Sequence, residues 1–307
     1  MAAFRVSSLC PSDPSRKKGS EMVDESLRLK MRSETMEALS PGHLRAWRAQ
    51  LTPEAQTLAG SLPVEEPLDL VDGYARPLCL SLAAMVTGIS RKDAGGLCEL
   101  AQRVSAASAE PQDPALRAGA KSANAELRGR FHIGPAPLRD SGFVALSQTM
   151  VCLLGNAWFA LVEHPKEWRL LHQHGLTEHA IQELLRYAGL VRTLYRTATT
   201  DIDLNGFLIR KGERIILRII AANHDPERFC SPNELDVARR DGGHLTLGAG
   251  RHLCVAAGLI HMAAVAITAP LLQRFASANL ARPIDWHGGS GFRSPRSLWV
   301  RLTEGEG

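Results

Sequence analysis

The chain has 307 residues, 45% of them hydrophobic, 22% charged and 5% aromatic. That length and apolar content allow a large buried core and exclude the charged, apolar-poor composition of a disordered protein. A formal net charge of +4 is too small to support nucleic-acid binding, and six cysteines without a CxxC pair indicate neither a zinc site nor a disulfide framework, so reduced thiols in a cytoplasm are expected.

Residues 1–23 hold no apolar run of signal-peptide length and read as an unstructured or divergent tail. From Glu21 to Ala59 the pattern is helical, interrupted at Ser40–His43, where Ser40 and Pro41 start a second helix. Residues 69–90 predict another helix, entered through Pro77 and closed at Gly88, with Ser90 capping the next. A polar, alanine-rich surface helix follows over 110–131, and "HIGPAPLRD" is a linker. The stretch Ser141–Pro165 is apolar on all sides, broken only by Ser147, Gln148, Thr149 and Asn156, which suits the centre of a large protein. A helix capped by Thr177 comes next, and then the period changes. Asn205-Gly206 marks a hairpin between β-type segments. Val255–Leu272 is long enough to span a bilayer, but His261, Pro270 and the lack of a hydrophilic flank favour a buried helix. "SLWVRL" reads as a final strand. Helices therefore dominate, with a small β region in the last third.

Chemistry concentrates at "GAGRHLCVAAG", Gly248 to Gly258. Gly248 and Gly250 permit a tight turn, and Cys254 precedes an apolar helix. A thiol at a helix N-terminus meets free N–H groups and the positive end of the dipole, and Arg251 and His252 add charge, so a stabilised thiolate is expected. Such a thiolate serves as a metal ligand or a nucleophile; the plain alternative is a buried structural cysteine. A nucleophile built on Cys254 and His252 lacks a third, orienting group.

"HLTLGAGRHLCVAAG" resembles the haem-binding loop of the cytochrome P450 family, Phe-Gly-x-Gly-x-His/Arg-x-Cys-x-Gly/Ala. Gly248, Gly250, His252, Cys254 and Ala256 match, and Leu247 stands in place of the phenylalanine. Other stretches agree in the family's order. "ELLR" (Glu183–Arg186) resembles the Glu-x-x-Arg signature, residues 196–229 the bacterial segment after it, and "PNELDVAR" the meander, with Leu235 for phenylalanine. "LSQTMVCLLGNAWFALVEHP" resembles the long helix over the haem. The resemblance implies a mainly α P450 fold with a small β region, lacking part of the N-terminal sheet. Residues 24–307 form a single domain: early helices 24–130, a central haem-facing helix 139–164, the ExxR helix 178–187, a β region 196–220, the meander and haem-binding loop 224–254, a following helix 255–275 and a C-terminal β region 290–303.

The resemblance also assigns roles. Cys254 becomes the axial ligand of haem iron. His252 and Arg196 correspond to partners of the propionates, and "RLKMR" resembles an early-helix His-x-x-x-Arg, with Arg28 for the histidine and Arg32 as the arginine. For Arg28 and Arg32 a solvated helix face is the competing reading. Glu183 and Arg186, together with Arg239, are implied to form a buried network; alone, an ExxR pair is usually a surface salt bridge. Thr149 matches the oxygen-activating threonine of "Ala/Gly-Gly-x-Asp/Glu-Thr", but Gln148 replaces the acid and Leu146 the glycine, leaving proton delivery and helix kinking open.

Two functions follow. One is a monooxygenase that holds haem b and uses dioxygen and electrons from NAD(P)H, passed through a ferredoxin and its reductase. It would insert one oxygen atom into an apolar small molecule, in the cytoplasm and without a membrane span. The other is a truncated or degenerate P450-like protein that binds haem or a partner without turnover. The match starts only at the helix holding Arg28 and Arg32, and the family's longer N-terminal part has no counterpart before it.

Overall fold

The structure, a computed structural model, describes residues 9–11, 25–131 and 138–305. Helix starts follow from side chains that satisfy the first free amides. Ser40 Oγ accepts from the His43 amide, with Pro41 in the first turn. Ser90 accepts from Asp93, Asp113 from Ala115 and Leu116, and Thr177 from Ala180. Gly88 stops its helix in the left-handed conformation, at φ 74°.

The elements run as follows. β1 (Leu9–Pro11) is followed by α1 (Glu25–Ala38), α2 (Pro41–Ser61) and β2 (Leu68–Asp69). A π turn (Val71–Ala75) leads into α3 (Arg76–Thr87), α4 (Arg91–Gly96), α5 (Cys98–Ala109), α6 (Pro114–Arg130) and α7 (Asp140–Val144). A second π turn (Ala145–Thr149) joins α7 to α8 (Met150–Glu163), and α9 (Pro165–His174) and α10 (Glu178–Tyr187) complete the middle of the chain. Then come β3 (Thr193–Ala198), β4 (Ile202–Leu204), β5 (Phe207–Ile209), β6 (Arg214–Arg218), α11 (Ile219–Asn223) and α12 (Ala257–Arg274). β7 (Phe275–Leu280), β8 (Trp286–His287), β9 (Ser294–Pro295) and β10 (Trp299–Glu304) close it.

One main core runs through the helices, and α8 lies at its centre with Leu154, Trp158 and Leu161 almost fully buried. Large aromatic side chains there place their polar ends on partners, as burial requires. Tyr74 donates to the carbonyl of Ile267 at 2.8 Å, Trp158 Nε1 to Thr268 Oγ1 at 3.1 Å, and Trp168 Nε1 to the carbonyl of Phe275 at 2.9 Å. These bonds tie the π turn, α8 and α9 to α12 and β7. Two helical stretches, Ser141–Glu163 and Ala257–Arg274, are long and apolar enough to cross a membrane, and they are 78% and 50% buried inside the protein. An all-round apolar helix at the centre of a core gives the same pattern.

The sheets are small. Antiparallel neighbours run β1-β3-β6 and β2-β10-β7, with two-stranded pairs β4-β5 and β8-β9. Asn205 and Gly206 form the expected hairpin turn, at φ 53° and 84°, with Ile202 opposite Ile209.

The observed boundaries differ from the expected ones at identifiable places. A strand, Leu9–Pro11, stands inside the segment read as a tail, because β3 offers it a pairing edge. The β region begins at Thr193 rather than 196. Pro77 is the second residue of α3, already preceded by a π turn. The last long helix begins at Ala257 rather than 255, since residues 254–256 are held in a turn. β7 follows α12 with no turn residue between them, so nothing in the local sequence announced it. Residues 132–137 of the expected linker lie outside the described residues.

Candidate functional site

The loop around Cys254 is shaped by its backbone. Gly248 has φ 78°, and a Cβ there would stand 2.6 Å from the carbonyl oxygen of His252. Gly250, at φ 59°, opens a short 3-10 turn to His252. The Cys254 amide then donates to the carbonyl of Leu247 at 2.7 Å, closing the loop on itself. Arg32 reaches in from α1 and donates to the carbonyl of Leu253 at 2.9 Å. Arg32 therefore belongs to this loop and does not merely solvate a helix face. The side chain of Arg28 lies outside the described residues. A Gly248→Ala substitution is expected to cost about 1–2 kcal/mol for the left-handed backbone alone, with the clash against backbone added. Chemical denaturation of wild type and variant measures it.

Cys254 is half-buried. Burial pushes its thiol up from the ordinary value, while the Ala256 amide and the Arg32 charge pull it down. The expectation of a thiolate stabilised by a helix end is thus corrected for the protein alone. The helix starts three residues later than its dipole would need to act directly, and desolvation of the charged form wins. A bound cation at the sulfur reverses that balance.

Beneath the loop lies a buried charge network. Glu183 accepts from both Arg186 Nε and Nη2, at 2.7 and 2.8 Å, and forms an ion pair with Arg239, whose Nε stands 3.1 Å away. Its second role is to accept from the Asp236 amide at 3.0 Å. Arg186 also donates to the carbonyls of Asn223, Pro232 and Glu234. The network passes to the cysteine loop through two residues that the sequence reading did not single out. Asn223, 1% exposed, donates to Thr246 Oγ1 and accepts from the Leu245 amide, and Thr246 donates to the carbonyl of Leu185. Gly189 is needed for this approach, because a Cβ there would meet Thr246 Oγ1 at 2.4 Å. A buried polar pair such as Asn223 and Thr246, in segments otherwise apolar, was the available signal.

A second polar chain joins the same elements. His244 donates from Nε2 to Gln182 Oε1 at 2.7 Å, and Gln182 donates to His261 Nε2 at 2.8 Å. Burial is the main cause holding His244 down to about 4, with His261 and Arg186 adding to it. The unfolded chain takes up this proton near 6.5, so between about pH 6.5 and 4 it binds more protons than the folded protein. Stability contributed by neutral His244 is present above that window and is lost as pH falls through it, by up to about 3 kcal/mol. Denaturation midpoints measured across that range should fall more steeply in wild type than in His244→Gln.

On the central helix, the Met150 amide bonds back five residues to the carbonyl of Ala145, which makes "ALSQT" a π turn. The distortion therefore forms with Leu146 where the family pattern has glycine. Gln148 and Ser147 are buried, with Gln148 Nε2 donating to Ser147 Oγ at 3.4 Å, whereas Thr149 is half-buried and Ala145 exposed. Ala145 and Thr149 are one turn apart, so this otherwise buried helix opens on one face. No hydrogen bond or ion pair among the described residues links Gln148 or Thr149 to the cysteine loop. Arg196, on β3, is buried at 8% exposure, its Nη1 donating to the carbonyl of Tyr195, and His252 is half-buried beside the cysteine.

These residues fit a haem. The loop supplies a soft sulfur donor, the glycine cradle leaves no room for a Cβ, cations stand near it, and the central helix presents an open face.

Comparison with known proteins agrees. The family model Cytochrome P450 matches residues 161–284, which include Glu183, Arg186, Arg196, Arg239 and the whole cysteine loop. Cytochrome P450 CYP107DY1 of Priestia megaterium is 40% identical over 156 residues, covering 50% of this chain and 38% of that protein. Nocardicin C N-oxygenase of Nocardia uniformis subsp. tsuyamanensis is 31% identical over 264 residues, covering 76% of this chain and 66% of the relative. The chain thus spans less than two thirds of the length of either. Among solved structures, P450BioI in complex with a fatty-acyl carrier protein superposes with a TM-score of 0.85 at 23% identity, covering 98% of this chain and 89% of that one.

Helical shell, small sheets and cysteine loop together define the haem-thiolate class of fold. The chain belongs to the cytochrome P450 family, in its bacterial form.

Proposed function

We propose that the chain holds haem b through Cys254 and inserts one oxygen atom of dioxygen into an apolar small molecule. The observation that carries this reading is the cysteine loop, in which a half-buried sulfur accepts the Ala256 amide and stands next to Arg32. The haem, when bound, supplies oxygen activation, which no side chain here provides.

The chain's own residues then have defined tasks. Cys254 binds as thiolate, and the Ala256 N–H on its sulfur tunes how strongly it donates. Arg196, His252 and Arg32 are the cations suited to the two propionates, with Arg28 a fourth on the same early helix. Glu183, Arg186 and Arg239 hold the meander beneath the loop and touch no ligand. Thr149 lies at the open face of the helix, where its hydroxyl can hold a water or pass on a proton. Gln148 orients such a water but has no acidic proton to give, so delivery runs through the Ser147 and Thr149 hydroxyls. Electrons come from NAD(P)H through a ferredoxin and its reductase, whose acidic surface suits a net charge of +4. Both long apolar helices are read as core, and a cytoplasmic location goes with that reading.

The test is optical. A red purified protein whose reduced carbon-monoxide complex shows the thiolate-type Soret band supports the proposal; a colourless protein refutes it. A red protein without turnover on any apolar substrate that shifts its spin state supports haem binding alone. Gln148→Glu should then raise the turnover rate, by up to the roughly 10²–10⁴-fold that a placed acid contributes. Product formation rates of wild type and variant measure it.

A further inference from the structure

The cysteine loop hangs from a short arm, residues 244–247, whose first three residues are each held by another part of the chain. His244 Nε2 meets Gln182 Oε1 at 2.7 Å, and the Leu245 amide donates to Asn223 Oδ1 at the same distance. Thr246 Oγ1 accepts from Asn223 Nδ2 at 2.8 Å and donates to the carbonyl of Leu185. Leu185 stands in the last turn of α10, where carbonyls find no partner on the helix itself, so this hydroxyl caps α10 from across the fold. Thr246 and Asn223 are 7% and 1% exposed, and both bonds form away from water. Gly189 closes the remaining side, because a Cβ there would stand 2.4 Å from Thr246 Oγ1 and 3.2 Å from its Cγ2.

The two neighbours of Thr246 carry the loop. The carbonyl of Leu245 accepts the Gly248 amide at 2.9 Å, and the carbonyl of Leu247 accepts the Cys254 amide at 2.7 Å. The first of these carbonyls shares a planar peptide unit with the Thr246 nitrogen and the second lies one residue on, so a shift at 246 reaches both bonds. The sulfur depends on staying in place. Burial pushes the Cys254 thiol up, and the Ala256 amide and the Arg32 charge offset it. A loop that moves loses that offset.

We infer that Thr246 is a positioning residue for the iron ligand: its hydroxyl, clamped between the Leu185 carbonyl and the Asn223 side-chain amide, fixes the arm that holds both the Gly248 turn and Cys254. The inference rests on the reading of Cys254 as the haem ligand.

Amide exchange of the full chain, followed residue by residue by NMR, tests the clamp with or without haem. In wild type the Leu245, Gly248 and Cys254 amides should share one protection factor, as members of one opening unit. Thr246→Ala should make the Gly248 and Cys254 amides exchange about tenfold faster, the equivalent of one net hydrogen bond. Thr246→Ser keeps the hydroxyl and should restore wild-type exchange. Thr268→Ala is the structural control. It removes another buried threonine hydroxyl, the one that accepts from Trp158 Nε1 on the central helix, and should leave both loop amides as they are. With haem loaded, Thr246→Ala should lose part of the thiolate-type Soret band of the reduced carbon-monoxide complex to the band of a neutral thiol, and the Thr246→Ser and Thr268→Ala variants should keep it.

A Cys254 amide more than about tenfold less protected than Leu245 in wild type overturns the inference. So does unchanged exchange or a full thiolate-type band in Thr246→Ala, failure of Thr246→Ser to restore exchange, or equal acceleration by Thr268→Ala. The wild-type comparison decides even if Thr246→Ala fails to fold. A colourless wild type refutes the haem reading, whereas exchange reports separately whether Thr246 holds the loop.

Discussion

Cys254→Ser is expected to abolish the thiolate-type Soret band of the reduced carbon-monoxide complex and to lower haem retention by more than the roughly 10–100-fold that outer-sphere changes cost at metal sites. The backbone argues that the loss is specific. The loop is closed by the Cys254 amide on Leu247, by Arg32 on Leu253 and by the left-handed glycine at 248, none of which involves the sulfur. A serine therefore keeps the cradle and changes only the donor atom, from a polarizable thiolate to a weakly coordinating hydroxyl. Circular dichroism of the variant should match wild type, and the optical spectrum should not. Haem retained at wild-type level with an unchanged band would remove Cys254 from the site.

How much of this was legible in the sequence depends on whether each signal is local. The Thr177 cap and the ExxR helix were read to the residue, Glu178–Tyr187, because capping is a contact between side chain and neighbouring amides. The Asn205-Gly206 hairpin was equally local. Arg32 was ambiguous because its partner, the carbonyl of Leu253, lies 221 residues away. Asn223 and Thr246 went unnoticed for the same reason, since their value is set by the Arg186 and Leu185 groups they meet. The π turn at Ala145–Thr149 was left open by the missing glycine, yet a five-residue backbone bond needs no glycine when the surrounding core holds the helix. The thiol was misjudged in the other direction: the helix end was visible in sequence, but the desolvation that outweighs it comes from packing.

Loss of the Glu183 carboxylate should be among the most damaging single changes in the chain. Both Glu183 and Arg186 have side chains 1% exposed, and Glu183 answers two guanidinium groups and one amide at once. Glu183→Leu leaves Arg186 buried without a counter-charge and Arg239 with only the exposed Asp241 carboxylate at 3.9 Å, for which about 3–5 kcal/mol is expected. A domain has only about 5–15 kcal/mol in hand. Arg186→Leu should cost as much, because it leaves the carboxylate only its Arg239 ion pair and frees the carbonyls of Asn223, Pro232 and Glu234. Arg239→Ala should cost less, since Arg186 still neutralises Glu183 through two bonds. The double Glu183→Leu/Arg186→Leu variant should fall short of the sum of the singles, as removing both charges together leaves neither unpaired. Urea denaturation of the four variants gives these differences, and single changes worth only about 0–1 kcal/mol would return the pair to the class of surface salt bridges. Haem retention should fall in step with stability, because Arg186 holds the carbonyl of Asn223 and Asn223 holds the Leu245 amide at the entrance to the cysteine loop.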